Sequence, residues 1–160
     1  MSSVQSMLTI GALILLSLSS FRFNTSVLEN STAQIENKVC LTAFSLADDM
    51  LETIKQRSFD EATIKFPTGL ANLTDPDSLG AESGETYQNF NDIDDYNNYT
   101  KTISAPHAEN YHLWCKVCYV DGNNPDNEIN TQSYYKKVTV FVSSPYMRDD
   151  INISFIFTLK

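Results

Sequence analysis

After Gly11 the chain carries no glycine before Gly69, and it has no proline before Pro67. These are the residues that most readily end or bend a helix, glycine through backbone freedom and proline by removing a donor and crowding the preceding turn. Without them nothing forces the first roughly 55 residues to reverse direction, and apolar periodicity decides what they form. From Met7 to Phe23 the segment "MLTIGALILLSLSSFRF" is apolar on every side. Beyond it, apolar residues recur at Leu28, Ile35, Val39, Ala43, Leu46, Met50 and Ile54, in steps of seven, four, four, three, four and four. That is the stripe of an amphipathic helix. Ala47, Leu51 and Phe44 widen it, while Glu29, Glu36, Lys38, Asp48, Glu52 and Lys55 take the other side. The pattern predicts one continuous helix with an apolar half, residues 1–24, and an amphipathic half, residues 25–59, which must pack on something.

The apolar half admits more than one use. A stretch from Val4 to Phe23 just reaches the roughly 20 residues that cross a bilayer core. As a secretory leader it has "SLSS" before a cut near Ser20 but no Lys or Arg ahead of its apolar run. Ser6, Ser17, Ser19 and Ser20, with Gly11, suit close helix-to-helix packing in a nonpolar environment. Asn24, Asn30 and Asn37 make a poor heptad seam, which argues against a coiled-coil stalk.

Residues 60–160 read as a head. Its first part, 67–110, is a long polar loop holding Asp75, Asp77, Glu82, Glu85, Asp92, Asp94 and Asp95 against a single Lys101; loops of that length are usually functional or interfacial. From 111 to 160, "YHLWCKVCYV", "SYYKKVTVFV" and "INISFIFTLK" alternate with period two and predict a three-strand antiparallel meander. Tyr111, Leu113, Cys115, Val117 and Tyr119 share one face, as do Val138, Val140 and Val142, and Ile151, Ile153, Phe155, Phe157 and Leu159. The amphipathic half of the helix is the element left to cover them, which makes the fold class α+β.

Chemistry is sparse. His107 and His112 read as surface residues, with His112 on the outer face beside Trp114, and no serine-hydrolase or phosphate-loop pattern is present. The "CKVC" of Cys115 and Cys118 lacks a second ligand pair for zinc, and a strand sends the two sulfurs to opposite faces about 10 Å apart. They read as free thiols; a bond from Cys40 to either is the alternative in an oxidising compartment. The expectation is therefore a non-enzymatic chain without a resident cofactor, calcium aside. For calcium, Asp92, Asp94 and Asp95, or Asp121 and Asp126 in "DGNNPDNE", offer hard oxygens at short alternate spacing without the full EF-hand pattern. The competing reading is a solvated acidic loop. A net charge of −9 argues against nucleic acid as a partner. The sequons at Asn24, Asn30, Asn72, Asn98 and Asn152 offer acceptors for glycans on an exposed surface.

In layout the chain resembles type IV pilins and the pseudopilins of type II secretion, in a minor-pilin-like form. The resemblance rests on "LTIGALILLSLSS", on "LADDMLETIKQRSFDE" and on the acidic "FNDIDDYNNYT". It implies a subunit held in the membrane of the cell envelope by its apolar helix, extracted by membrane assembly machinery, and packed by that same helix into a helical homopolymer outside the cell. Carried onto this sequence, the assembly interface would comprise Gln5, Met7, Leu8, Ile10, Gly11, Leu13, Ile14, Leu15, Leu16, Leu18, Phe21 and Phe23. The chain departs from the family in lacking the basic leader ending in Gly, and Gln5 stands where a glutamate is sought if Met1 begins the mature chain. Gln5 could still hydrogen-bond a neighbouring subunit's amine but cannot neutralise it. The alternative from another class is a secreted or membrane-tethered binding module that recognises its ligand through the long loop.

Overall fold

The structure is a computed structural model that describes residues 2–159; Met1 and Lys160, the outermost residues of the expected elements, lie outside that range. Its order is a helix α1 (Ser3–Ile54), then short 3-10 turns, then strands β1 (Thr100–Ala105), β2 (Ala108–Tyr119), β3 (Tyr135–Ser143) and β4 (Ile151–Thr158). The chain divides into two compact units, Met1–Lys38 and Val39–Lys160. This is an α+β fold.

Within the second unit, α1 buries Val39, Ala43, Ala47, Met50, Leu51 and Ile54, a run of three- and four-residue steps. Ala43 and Ala47 are fully buried at the centre of this line. Of the expected stripe, Leu28 and Ile35 are exposed, and Phe44 is turned outward as well. The buried stripe thus starts at Val39, the first residue of the second unit. Past Ile54 the chain tightens into three-residue bonds, Gln56 N to Thr53 O and Arg57 N to Ile54 O, and then leaves the helix.

The sheet is four-stranded and antiparallel in the order β1-β2-β3-β4, a meander with one strand more than the sequence pattern predicts. The additional strand, "TKTISA", lies inside what reads as loop and pairs Thr100 with Trp114 and Ile103 with Tyr111. It is an edge strand that buries no side chain fully, so it needs no apolar alternation. The core-facing sides of β2 and β3 fall where period two places them: Tyr111, Leu113, Cys115, Val117 and Tyr119, and opposite them Val138, Val140 and Val142. A large buried aliphatic side chain stabilises by about 1.5–3 kcal/mol, so these rows and the helix stripe carry the head. β4 is covered more thinly, with Ile151, Ile153 and Phe157 half-buried and Phe155 exposed.

Candidate functional site

Residues 2–38 have no interior. The helix opens on a reciprocal cap in which Gln5 Oε1 accepts from Ser2 N at 3.1 Å and Ser2 Oγ accepts from Gln5 N at 3.4 Å. Gln5 Oε1 thus serves its own helix end with one of its two lone pairs. Met7, Leu15 and Phe21 are 75 %, 67 % and 73 % exposed, and Leu8, Ile10, Leu13, Ile14, Leu16, Leu18 and Phe23 are likewise bare. By length and composition α1 is fit to cross a membrane, and none of its most apolar window is buried. Hydroxyls on this helix bond back to it, Thr9 Oγ1 to Ser6 O at 2.8 Å and Thr25 Oγ1 to Phe21 O at 3.0 Å, so they need no water. A Cβ on Gly11 would meet nothing within 4 Å. With Ala12 it floors a notch of about 540 Å³ between Val4, Met7, Leu8 and Leu15.

The head holds the opposite kind of feature, charge without water. On β3 the residue in phase with Val138, Val140 and Val142 is Lys136, fully buried. Its ammonium donates to Phe59 O at 2.9 Å, Asp60 Oδ2 at 2.7 Å and Asp94 Oδ2 at 2.7 Å, which uses all three donors. It also stands 4.6 Å from the Phe59 ring and 5.1 Å from that of Tyr119. Asp60 in turn caps the turn Glu61–Thr63 through Ala62 N and accepts from Thr74 N at 2.9 Å. Tyr119 Oη donates to Thr74 O at 2.8 Å. Helix exit, loop and two strands are thereby tied at one point. Burial pushes the Asp60 carboxyl up, but Lys136 and the two backbone donors outweigh it and hold that carboxyl below its ordinary value. For Asp94 burial prevails over Lys136 and raises it to about 7.

Beside this knot the segment Asn91–Asp95 is folded on its own carboxylates. Asp92 Oδ1 accepts from Asp94 N and Asp95 N, and Asp95 Oδ2 accepts from Asn91 N and Asp92 N. A bridge from Ser58 to Asp92 docks the segment beside the helix exit, and Phe90 and Tyr96 pack edge-to-face at 5.1 Å beneath it. Asp92 and Asp95 are buried, yet Asp92 Oδ2 and Asp95 Oδ1 have no hydrogen-bond partner, nor have Asn91 Oδ1 and Glu85 Oε2. A tight turn closed by Glu85 N to Glu82 O, with Gly84 at φ +94°, brings two more acids to this place. Carboxylate oxygens of Glu82, Glu85 and Asp95 lie within 4.8 Å of one another, as do those of Glu61, Glu82 and Asp92. Burial, with the neighbouring Asp94 and Asp95 charges, raises Asp92 to about 8. Glu85 rises to about 7 through Glu82 first, then burial and Asp95.

Of the acids that sequence reasoning grouped, the structure separates Asp94, which turns to Lys136, from Asp92 and Asp95. These three are buried rather than on a solvated loop. Asp121 Oδ1 accepts from Asn123 N at 2.9 Å, and Asp126 pairs with Lys137 at 3.0 Å. Lys116 pairs with Glu128 at 2.7 Å. Cys40, Cys115 and Cys118 are all free thiols. His112 stacks on Trp114 on the outer sheet face, and Trp114 stacks on Phe141, its cross-strand partner, at 5.0 Å. These side chains line a shallow cleft of about 870 Å³ with Asn97, Asn98 and Thr100. The pairing of Lys136 with Asp60 and the gathering of Glu61, Glu82 and Glu85 were missed; the one signal that could have found the first is that Lys136 shares the parity of the core valines. Comparison with family models, curated proteins and solved structures finds no match.

Proposed function

We propose that this chain is a structural subunit of an extracellular pilus-like filament, held in a membrane by the apolar part of α1 before assembly and packed through it against other copies afterwards. The observation that carries the proposal is an apolar helix surface whose large side chains from Val4 to Phe23 are all exposed, with none of the most apolar window buried. In water such a surface is a liability; in lipid or among like helices it is the expected one. The notch at Gly11 and Ala12 would admit a neighbouring helix closely, and the self-bonded threonine hydroxyls suit a dry surrounding. Repetition of such a heterologous contact without closure yields a fibre.

The role is non-enzymatic. Burial pushes the Cys115 thiol to about 12 and Cys118 to about 11, so neither supplies a thiolate at neutral pH. The partners are further copies of the chain and the membrane machinery that moves it, with the head displayed outside the cell. A head of net negative charge repels nucleic acid.

The test is negative-stain electron microscopy of material sheared from producing cells, with mass spectrometry of the N-terminus of this chain in the same fraction. Thin uniform fibres containing a chain that retains the Met7 to Phe23 segment support the proposal. A fibre-free preparation with a chain starting near Ser20 overturns it and leaves the binding module.

A further inference from the structure

The head concentrates acids around a point where several of their oxygens have no donor. In Asp92 and in Asp95 one carboxylate oxygen is consumed by two backbone N–H groups, and the other is buried and unpartnered. A buried carboxylate oxygen without a donor is costly unless a proton or a cation meets it. Lys136, the one buried lysine among the described residues, is already saturated by Phe59 O, Asp60 and Asp94, so it does not serve these atoms. What does approach them is more acid: Glu85 and Glu82 at Asp95, and Glu61 and Glu82 at Asp92. Glu85 Oε2 and the amide oxygen of Asn91 are also buried without partners.

We propose that Glu82, Glu85 and Asp95, flanked by Asp92, Glu61 and the Asn91 amide, bind a calcium ion that joins the Glu82–Glu85 turn and the Asn91–Asp95 segment to the helix exit. The donors are all hard oxygens, which exclude soft-metal chemistry. Oxygens within 4.8 Å of one another can share one ion whose ligands stand at about 2.3–2.6 Å. Calcium is chosen over magnesium because magnesium keeps much of its water and seldom takes more than one or two carboxylates, whereas calcium accepts six to eight oxygens in loose geometry. Glu82 is exposed and Glu85 half-exposed, so the ion has a path from solvent. The ion would neutralise acids that now face one another and would fix a loop that otherwise lies over the head with few regular hydrogen bonds. The site does not depend on the filament reading, since it is contained in the head.

The experiment is calorimetric titration of the full chain in detergent, stripped with chelator, using CaCl₂ and separately MgCl₂, with melting curves alongside. Calcium is expected to bind with a Kd between about 10⁻⁵ and 10⁻³ M and, at a hundredfold excess over that Kd, to raise the melting temperature by about 5–10 °C. Magnesium should give less than half the shift. The double variant Glu82→Gln with Glu85→Gln should melt no lower than the parent without calcium, because it removes like-charge repulsion, and should bind calcium at least about tenfold more weakly. Asp126→Asn, on the other acidic loop, should respond as the parent does. No heat and no shift with calcium, equal shifts with the two metals, an undiminished response in the double variant, or loss of the response in Asp126→Asn would each overturn the assignment.

Discussion

The two units spend their residues in opposite ways. Residues 2–38 put apolar side chains on the outside and bury none of the large ones. The unit from Val39 onward puts an apolar stripe inside and then buries Lys136, Asp60, Asp92, Asp94 and Asp95 along with it. A helix of the first kind gets its secondary structure from local hydrogen bonds but no stability from tertiary packing, and by length and composition it is fit to cross a membrane. A head of the second kind is held by its own core, and its exposure to failure lies where charges sit without water. The first region should therefore respond to changes in its surroundings, and the second to changes in charge balance.

The largest expected effect falls on the head. Lys136→Met keeps the length of the side chain and removes the cation that meets Asp60 and Asp94 at 2.7 Å. Removing one partner of a buried ion pair leaves the other uncompensated and costs about 3–5 kcal/mol. Denaturant melts should show that loss, and Asp60→Asn with Lys136→Met should recover part of it. An unchanged midpoint in Lys136→Met would mean that the lysine is not the neutralising group. Next in size is Leu15→Arg, in the exposed apolar helix. A charge at the centre of a spanning helix costs about 2.5–3.5 kcal/mol on insertion scales, so the chain should shift from the membrane to the soluble fraction. The melting of the head should stay as in the parent. Loss of head stability in Leu15→Arg would break the division between the two regions.

Much of this division was legible in the sequence, for reasons that differ by element. The absence of Gly and Pro fixed α1 as continuous, and the three- and four-residue steps picked out Val39, Ala43, Met50 and Ile54. The same steps overreached to Leu28 and Ile35, because periodicity reports which face is apolar and not where a partner begins. Strands β2 and β3 declared themselves by alternation, while β1 did not, since an edge strand with only Ile103 and Ala105 half-buried on its inner face shows little alternation. The acids at 92, 94 and 95 were visible as neighbours in sequence. Their division between Lys136 and the Glu82–Glu85 turn was not, because it depends on the 3-10 turn at Asp94–Tyr96 and on loop closures across tens of residues.

A third prediction concerns pH. Asp92 and Asp94 have folded-state values of about 8 and about 7, above the ordinary carboxylate range, so the folded head holds protons that the unfolded chain has released. Their stabilising contribution is complete below about pH 4, declines as pH rises above it, and is gone once pH has passed through 7 to 8. Asp94, Asp95 and Lys136 face Asp92, and Lys136 and Asp60 face Asp94, so these are the charges that set the curve. Asp60 has the opposite sign: its value is lowered, and its contribution is present above about pH 4 and lost on further acidification. Without divalent cations the head should therefore melt highest near about pH 4 and lose stability steadily from there up to about pH 8. A melting temperature that rises steadily from pH 5 to pH 8 in the presence of chelator would contradict the buried acidic cluster.

The smallest effect sharpens the comparison inside the head, between carboxylates that are buried and carboxylates that are merely numerous. Asp126 lies on the surface, its side chain 92 % exposed, and meets Lys137 at 3.0 Å. An ion pair in that setting is screened by water and salt and contributes about 0–1 kcal/mol. Asp126→Asn should thus move the denaturant midpoint by an amount near the limit of measurement, and added salt should erase what remains. Both acids lie in loops and differ in what surrounds the carboxylate: Asp60 has Lys136 and two backbone donors in a dry interior, Asp126 one lysine in water. If Asp126→Asn proved as damaging as Lys136→Met, burial would not be what gives the acidic knot its weight, and the contrast between the two kinds of surface would have to be drawn on other grounds.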